Sequence, residues 1–321
     1  MRALPEEFEA SALVPCLADG WGFDVEDVDY APVGGGSYHW VVHDFEGTRG
    51  FVTVDDLDRK PWLGHARESV FDGLRRAFDT AVALRDGGLA FVIAPSPTNR
   101  GETVLRIGPR YTIALFPFVD GQAGQFGHYE TAERAAVFAM LAELHNATPA
   151  VASVVRRVDL ELPGRRRLEK ALHELNETWS GGPFSEPTRK ALAEHASYVA
   201  ELLTVADRLS DDVATSSTDW VVTHGEPHAA NLLRTDEGYA LVDWDTVALA
   251  PPERDLWMLA EEGVQLDQVA VDFFRLTWEL ADIAAFTDVL RSPHRYSEDT
   301  AKAYDGLTTY LTRLPTIVRE Q

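Results

Sequence analysis

Val221-Val222-Thr223-His224-Gly225-Glu226-Pro227-His228-Ala229-Ala230-Asn231-Leu232-Leu233 is followed, after a turn, by Ala240-Leu241-Val242-Asp243-Trp244-Asp245. Two short β-prone runs, Trp220–Thr223 and Tyr239–Val242, lead into the polar residues of each motif, so both motifs sit at strand ends. Together they supply a carboxylate two residues after a histidine, an amide five residues further on, and a second carboxylate. Hard oxygen donors of this kind suit Mg²⁺ held against phosphate groups. The first carboxylate, Glu226, is of a type that receives or orients a hydroxyl proton.

Upstream of this pair, the chain reads as strand and turn with one helix. Val33 and the glycines Gly34, Gly35 and Gly36 precede Ser37 and the β-prone Tyr38–Val42, and Phe51–Val54 reads as the next strand. Apolar spacing predicts an amphipathic helix over residues 65–86, with Val70, Phe71, Leu74, Phe78, Val82 and Leu84 supplying its buried face. Leu89–Ala94 and Tyr111–Val119 read as further strands around a turn at Thr98–Gly101. From Tyr129 onward the pattern is mainly helical, with helices over Glu130–His145, Arg165–Thr178 and Pro187–Leu209, and two or more after Arg254. The expected fold class is α+β and bilobal. A small β-rich lobe takes residues 1–119, a Gly/Gln-rich linker 120–127, and a larger helical lobe 128–321.

The 321 residues include 29 Lys and Arg against 52 Asp and Glu, a formal charge of −23. That balance argues against a nucleic-acid partner, which needs a basic face. It suits either plain solubility or a cationic ligand. One cysteine, Cys16, rules out an internal disulfide framework and points to a reducing cytoplasm. No apolar run is long enough to span a membrane, so no membrane partner is expected.

The spacing of His224, Glu226 and Asn231 is that of a protein-kinase catalytic loop, with Asp243 at the place of its metal-binding aspartate. Here the sequence resembles the aminoglycoside phosphotransferase family, a branch of the protein-kinase-like fold. His224-Gly225-Glu226 with Asn231 is similar to the family's His-Gly-Asp loop, and Asp243-Trp244-Asp245 to its metal motif. Pro252–Leu256, Phe274-Arg275 and Asp282–Ala284 are nearest in pattern to its spectinomycin-phosphotransferase branch. The resemblance implies transfer of the γ-phosphoryl group of ATP or GTP, with Mg²⁺ bound by Asn231 and Asp243, to a hydroxyl of an aminoglycoside or aminocyclitol antibiotic. Such an enzyme would serve antibiotic resistance or another role. A kinase of another small alcohol, or a nucleotide-binding pseudokinase, is the alternative.

Two departures stand out. Glu226 replaces the family's aspartate, keeping the charge and adding one methylene. Thr53 stands where the strand should carry a phosphate-binding lysine; Lys60 and Arg67 are the nearest substitutes, and Glu68 is the helix acid that would pair with a strand lysine. The resemblance also gives expectations for the other site residues. Gly34, Gly35, Gly36 and Ser37 form either a loop over phosphates or an ordinary hairpin turn. Phe116 and Phe118 flank a segment facing the purine, or belong to the core. His224 holds the loop or transfers a proton. Asp245 assists the metal, meets an acceptor amine or caps a turn, while Glu279 and Asp282 face a cationic acceptor. Asp255 is expected to brace the catalytic loop, and His228 to be an ordinary loop residue.

Overall fold

Alternation along Tyr38–Asp44 buries Tyr38, Trp40 and Val42 and sends His39 and Val41 to the other side, the period of two that a strand demands. The computed structural model describes residues 1–5, 8–127, 129–216, 219–259 and 265–313. They fall into two compact units.

The first unit takes in Ala3–Val158 and the segment that begins at Asp219. Its five-stranded antiparallel sheet has β1 (Val25–Ala31), β2 (Tyr38–Asp44), β3 (Arg49–Asp56), β4 (Leu105–Ile107) and β5 (Tyr111–Pro117), in the order β1-β2-β3-β5-β4. On one face, Leu13 and Leu17 of α1 (Leu13–Trp21) pack with Trp40, Val42, Val52, Val54 and Ile113. On the other, Leu74 and Phe78 of α2 (Arg67–Asp86) pack with Ala114 and Phe116. The glycine turn lies between β1 and β2. Residue pairing Tyr38↔Val54 places Ser37, the last residue of that turn, opposite Asp55.

A second core gathers Ala77 and Leu84 of α2, Leu141 and Leu144 of α3 (Thr131–Asn146), Val151 of α4 (Thr148–Val151), and Trp244. It also draws in Val222, Leu232 and Leu241 from short strands. Those strands are β7 (Val221–Thr223), paired with β10 (Ala248–Ala250), and the sheet β6-β8-β9 of Gln122–Ala123, Leu232–Thr235 and Gly238–Leu241. The helix α7 (Glu253–Leu256) follows β10.

The second unit contains α5 (Arg165–His173), α6 (Ser185–Thr215), α8 (Gln268–Arg291) and α9 (Glu298–Arg313). Phe273, Leu276, Leu280, Ile283, Thr287 and Leu290 recur at helical spacing along the buried face of α8. The Asp267 carboxylate caps its first turn by accepting from the Val269 N–H at 3.0 Å. No helix among the described residues is long and apolar enough to cross a membrane.

Three elements differ from the sequence reading. Leu89–Ala94 is not a strand but a buried loop, bridged to Leu241 at Val92. A short apolar run has the same look in either setting. The helix expected over Arg165–Thr178 ends at His173, and the long helix runs over Ser185–Thr215 rather than Pro187–Leu209. Proline is tolerated in a first turn, where its missing N–H has no intrahelical partner. The strands β1, β4, β6 (inside the expected linker 120–127), β8 and β10 and the helices α1 and α4 went unforeseen.

Leu141→Ala removes a fully buried side chain from the second core and is expected to cost about 2–5 kcal/mol in urea unfolding. Leu4→Ala, on an exposed side chain, should change stability by less than about 0.5 kcal/mol.

Candidate active site

The catalytic-loop motif begins where β7 ends, and a buried carboxylate sets its shape. Asp255 accepts from the backbone N–H groups of His224 (3.0 Å) and Gly225 (2.6 Å) and from His145 Nε2 (2.9 Å). Burial pushes this carboxyl up, but the His145 hydrogen bond, the charges of His145 and Arg254 and the Gly225 N–H together hold it below the usual range. Gly225 adopts φ +96°, and a Cβ there would lie 2.2 Å from the Arg254 guanidinium. That guanidinium donates to Thr223 Oγ1 (2.8 Å) and to the Thr246 carbonyl (2.9 Å).

His224 is buried, with both ring nitrogens engaged. Nε2 donates to the Val242 carbonyl (2.9 Å), and Nδ1 accepts from the Glu226 N–H (3.2 Å). These partners define one neutral tautomer, and burial lowers the ring's pKa to about 4 despite the nearby Asp255. The geometry is that of a brace between the two motifs. The Glu226 carbonyl accepts from Asn231 Nδ2 (3.0 Å), so the backbone of Glu226 is tied at both ends.

The Asn231 carbonyl accepts from the Val242 N–H at 3.0 Å, which pins it against the residue before Asp243. Asn231 Oδ1 makes no hydrogen bond among the described residues, and neither does the Asp243 carboxylate. Asp243 is the one described non-glycine residue with positive φ, at 68°. Its crowded surroundings and the like charges of Asp245 and Asp55 push its carboxyl up to about 7, with Lys60 pulling the other way, while one face stays open to solvent. Two uncommitted hard oxygen donors therefore fit the divalent cation expected from the sequence, since Mg²⁺ commonly takes one or two protein oxygens plus phosphates.

Around the glycine turn, Ser37 Oγ donates to Asp55 Oδ1 at 2.6 Å. Lys60 Nζ reaches Asp245 Oδ2 (2.5 Å), Asp55 Oδ1 (2.9 Å) and Ser37 Oγ (3.1 Å), and its side chain is 1% exposed. Gly34 has φ +68°, while added Cβ atoms at Gly35 and Gly36 would meet open space. Thr53 is buried in β3, its hydroxyl 3.2 Å from His39 Nδ1. Arg67 is paired with Asp58, and Glu68, 85% exposed, with Arg106, so neither joins the Lys60 cluster.

The structure thus brings together Ser37, Asp55, Lys60 and Asp245 in one cluster, and His224, Glu226, Asn231 and Asp255 in one loop network. Phe116 packs edge-on to Phe78 at 5.5 Å, and Phe118 lies under the Arg49 guanidinium at 4.1 Å. Glu279 and Asp282 lie one turn apart on α8 of the second unit. Asp282 accepts from the Tyr310 hydroxyl (2.7 Å) and burial raises it to about 6; burial raises Glu279 as well. Sequence reasoning missed Asp55. Its signal was an acid two residues beyond Thr53, on the same face of the strand.

The phosphotransferase enzyme family (APH) matches residues 53–295 of the chain. Protein StrN of Streptomyces griseus is 28% identical over 247 residues, 73% of this chain and 76% of StrN. Among solved structures, spectinomycin phosphotransferase APH(9)-Ia in complex with ADP and spectinomycin superposes with a TM-score of 0.71 at 17% identity, covering 95% of each chain. The microcompartment-associated aminopropanol kinase gives 0.61 at 14% identity, over 97% of this chain and 98% of its own. Amicoumacin kinase hAmiN in complex with AMP-PNP, Ca2+ and Ami gives 0.60 at 12% identity, over 96% and 95%. The fold shared with these structures is the kinase-like α+β fold, β-rich in its N-terminal region and helical in its C-terminal region.

An unfolded histidine takes up its proton near pH 6.5, whereas His224 in the folded chain does so near 4. Between those values the unfolded chain binds one more proton, so stability rises with pH across the window and is lost on acidification. For His224 the slope is about 1.4 kcal/mol per pH unit, or about 3 kcal/mol in total. His39 and His228, also lowered to about 4 mainly by burial, add slopes of the same sign. Urea unfolding from pH 4.5 to 6.5 should show His224→Gln flattening the slope by its own share; an unaltered slope would mean that His224 is not the buried neutral group.

Proposed function

This chain belongs to the phosphotransferase enzyme family, and on that premise we propose that it moves the γ-phosphoryl group of ATP or GTP to a hydroxyl of a cationic aminoglycoside or aminocyclitol. The observation that carries the reading is the pair of uncommitted oxygen donors, Asn231 Oδ1 and the Asp243 carboxylate, beside a loop held by the hydrogen bonds of His224, Gly225 and the Asn231 amide nitrogen. In this reading those two residues hold Mg²⁺. Bound there, the ion would neutralise charge on the phosphates.

The chain's own groups divide the remaining work. Glu226 orients the acceptor hydroxyl and takes its proton late in transfer, because a loose phosphoryl transition state asks more for positioning than for early deprotonation. His224, neutral and bonded through both ring nitrogens, positions the loop. The backbone of Gly34, Gly35 and Gly36 and the Ser37 hydroxyl cover the phosphates, Thr53 lies beside them, and the Phe116–Phe118 segment meets the base. Within the first unit, an ammonium group of the acceptor is assigned to Asp245. In the second unit, taken by itself, burial raises the Glu279 and Asp282 carboxyls, and a cation beside them would favour their charged forms. The charge of −23 supports the approach of a cation. The single cysteine suits a reducing cytoplasm as the place of action.

Calorimetric titration with ATP and GTP, each with and without Mg²⁺, tests the donor side. Magnesium-dependent binding of one nucleotide is expected, and binding of neither would overturn the reading. Turnover is then screened against spectinomycin, aminoglycosides and small amino alcohols; transfer to an amino alcohol alone would replace the proposed acceptor class. With the acceptor found, Asp243→Asn should abolish transfer. Glu226→Gln should lower it by about 10²–10⁴-fold with nucleotide affinity largely kept. Full turnover in either variant would remove that residue from its assigned role.

A further inference from the structure

A site for a nucleoside triphosphate needs a cation on the phosphates besides the metal, and the strand that would supply it carries Thr53. We propose that Lys60 is that cation, displaced to the turn after β3 and held by Asp55, which does the work expected of the helix acid Glu68. The inference rests on the phosphotransferase reading and concerns the same site.

The local chain path explains how a lysine seven residues beyond Thr53 returns to the site. Asp56 closes a tight turn: its carboxylate accepts from the Asp58 N–H (3.0 Å) and its carbonyl from the Arg59 N–H (2.9 Å). The turn reverses the chain immediately after Asp55, so Lys60 folds back onto the strand it has just left. The Leu63 N–H, 3.1 Å from the Lys60 carbonyl, holds the far side. Meanwhile the β2–β3 register sets Ser37 opposite Asp55. The ammonium is thereby placed against the last residue of the glycine turn on one side and the Asp243-Trp244-Asp245 motif on the other.

A buried ammonium held by a single oxygen would leave two N–H donors unpaired. Lys60 instead has three oxygen partners, from Asp55, Ser37 and Asp245, one for each of its N–H donors. Asp55 Oδ2 is buried and has no hydrogen-bond partner among the described residues. That spare oxygen lets Lys60 stay bonded to Asp55 while its bond to Asp245 is exchanged for a phosphate oxygen. The other nearby candidates are committed elsewhere, Arg67 to Asp58 and Glu68 to Arg106, both in exposed pairs.

The test compares a nucleoside with its diphosphate. Titration of the full chain with Mg²⁺·ADP and adenosine, or Mg²⁺·GDP and guanosine if the guanine series is the one bound, separates the phosphate contribution from the rest. Lys60→Met is expected to weaken the diphosphate by about 10- to 100-fold, the range of a lost charge-assisted hydrogen bond, and to leave the nucleoside within about twofold. If that variant does not fold, Lys60→Met with Asp55→Asn removes the stranded carboxylate too and carries the same expectation. Equal losses for nucleoside and diphosphate would make Lys60 a structural residue and overturn the proposal, as would unchanged diphosphate affinity. Wild-type protein that binds no nucleotide at all would instead overturn the phosphotransferase reading, and this proposal with it.

Discussion

The buried Asp255 carboxylate is the interaction on which the loop geometry depends. A carboxylate out of water is costly unless its oxygens are bonded, and here two consecutive backbone N–H groups and one imidazole do that. Pointing the N–H groups of His224 and Gly225 at one side chain bends the chain there, and φ of +96° is a bend that glycine makes without strain. The volume a side chain would have filled at Gly225 holds the Arg254 guanidinium, which ties Thr223 to Thr246. Arg254 and Asp255 are neighbours in sequence, so one turn of α7 supplies both the anion and the cation that shape the loop. From there the His224 ring extends the constraint to Val242, and so to the start of the second motif.

The second motif lies in a field of unbalanced charge. Asp55, Asp243 and Asp245 surround one ammonium, that of Lys60. Burial alone would lower the lysine's pKa, but Asp245, Asp55 and Asp243 outweigh it and keep the group protonated. The same arrangement works in the opposite sense on Asp243, whose carboxyl is raised because crowding and two neighbouring anions outweigh the lysine. One cluster thus accounts for both directions. A surplus of negative charge around an oxygen donor open to solvent is a setting that an added cation relieves, and that complements the uncommitted Asn231 oxygen.

The parts of the site that are local in sequence were legible in it. His224, Glu226 and Asn231 lie on one loop, and Asp243 follows a short strand, so spacing alone brings them into view. Lys60 and Asp55 were harder to read because their meeting depends on two features with little sequence signal: the β2–β3 register and the reversal at Asp56. The strand register also explains why Thr53, although correctly placed on β3, bonds His39 across the ladder. Fold elements followed the same rule. The amphipathic α2 and α3 showed their period, whereas the three- and four-residue strands β4, β8 and β10 are too short to show one. The apolar run at Leu89–Ala94, read as a strand, is a loop that places Phe91, Val92 and Ala94 in the second core.

Glu226 shows how these constraints combine. Where a loop is free to shift, one added methylene is absorbed by moving the backbone back. Here the Glu226 N–H is bonded to His224 and its carbonyl to Asn231, while His224 itself is held by Asp255 and Val242. The starting point of the side chain is therefore fixed by groups that do not touch an acceptor. A carbon–carbon bond adds about 1.5 Å of reach, and a misplacement of about 1 Å at a reacting group can cost about 10²-fold. The longer side chain must then be matched by the seating of the acceptor rather than by the loop. On the proposed role of Glu226, such a site would select its acceptor partly by where that molecule's hydroxyl lies, linking the departure in the loop to the identity of the substrate.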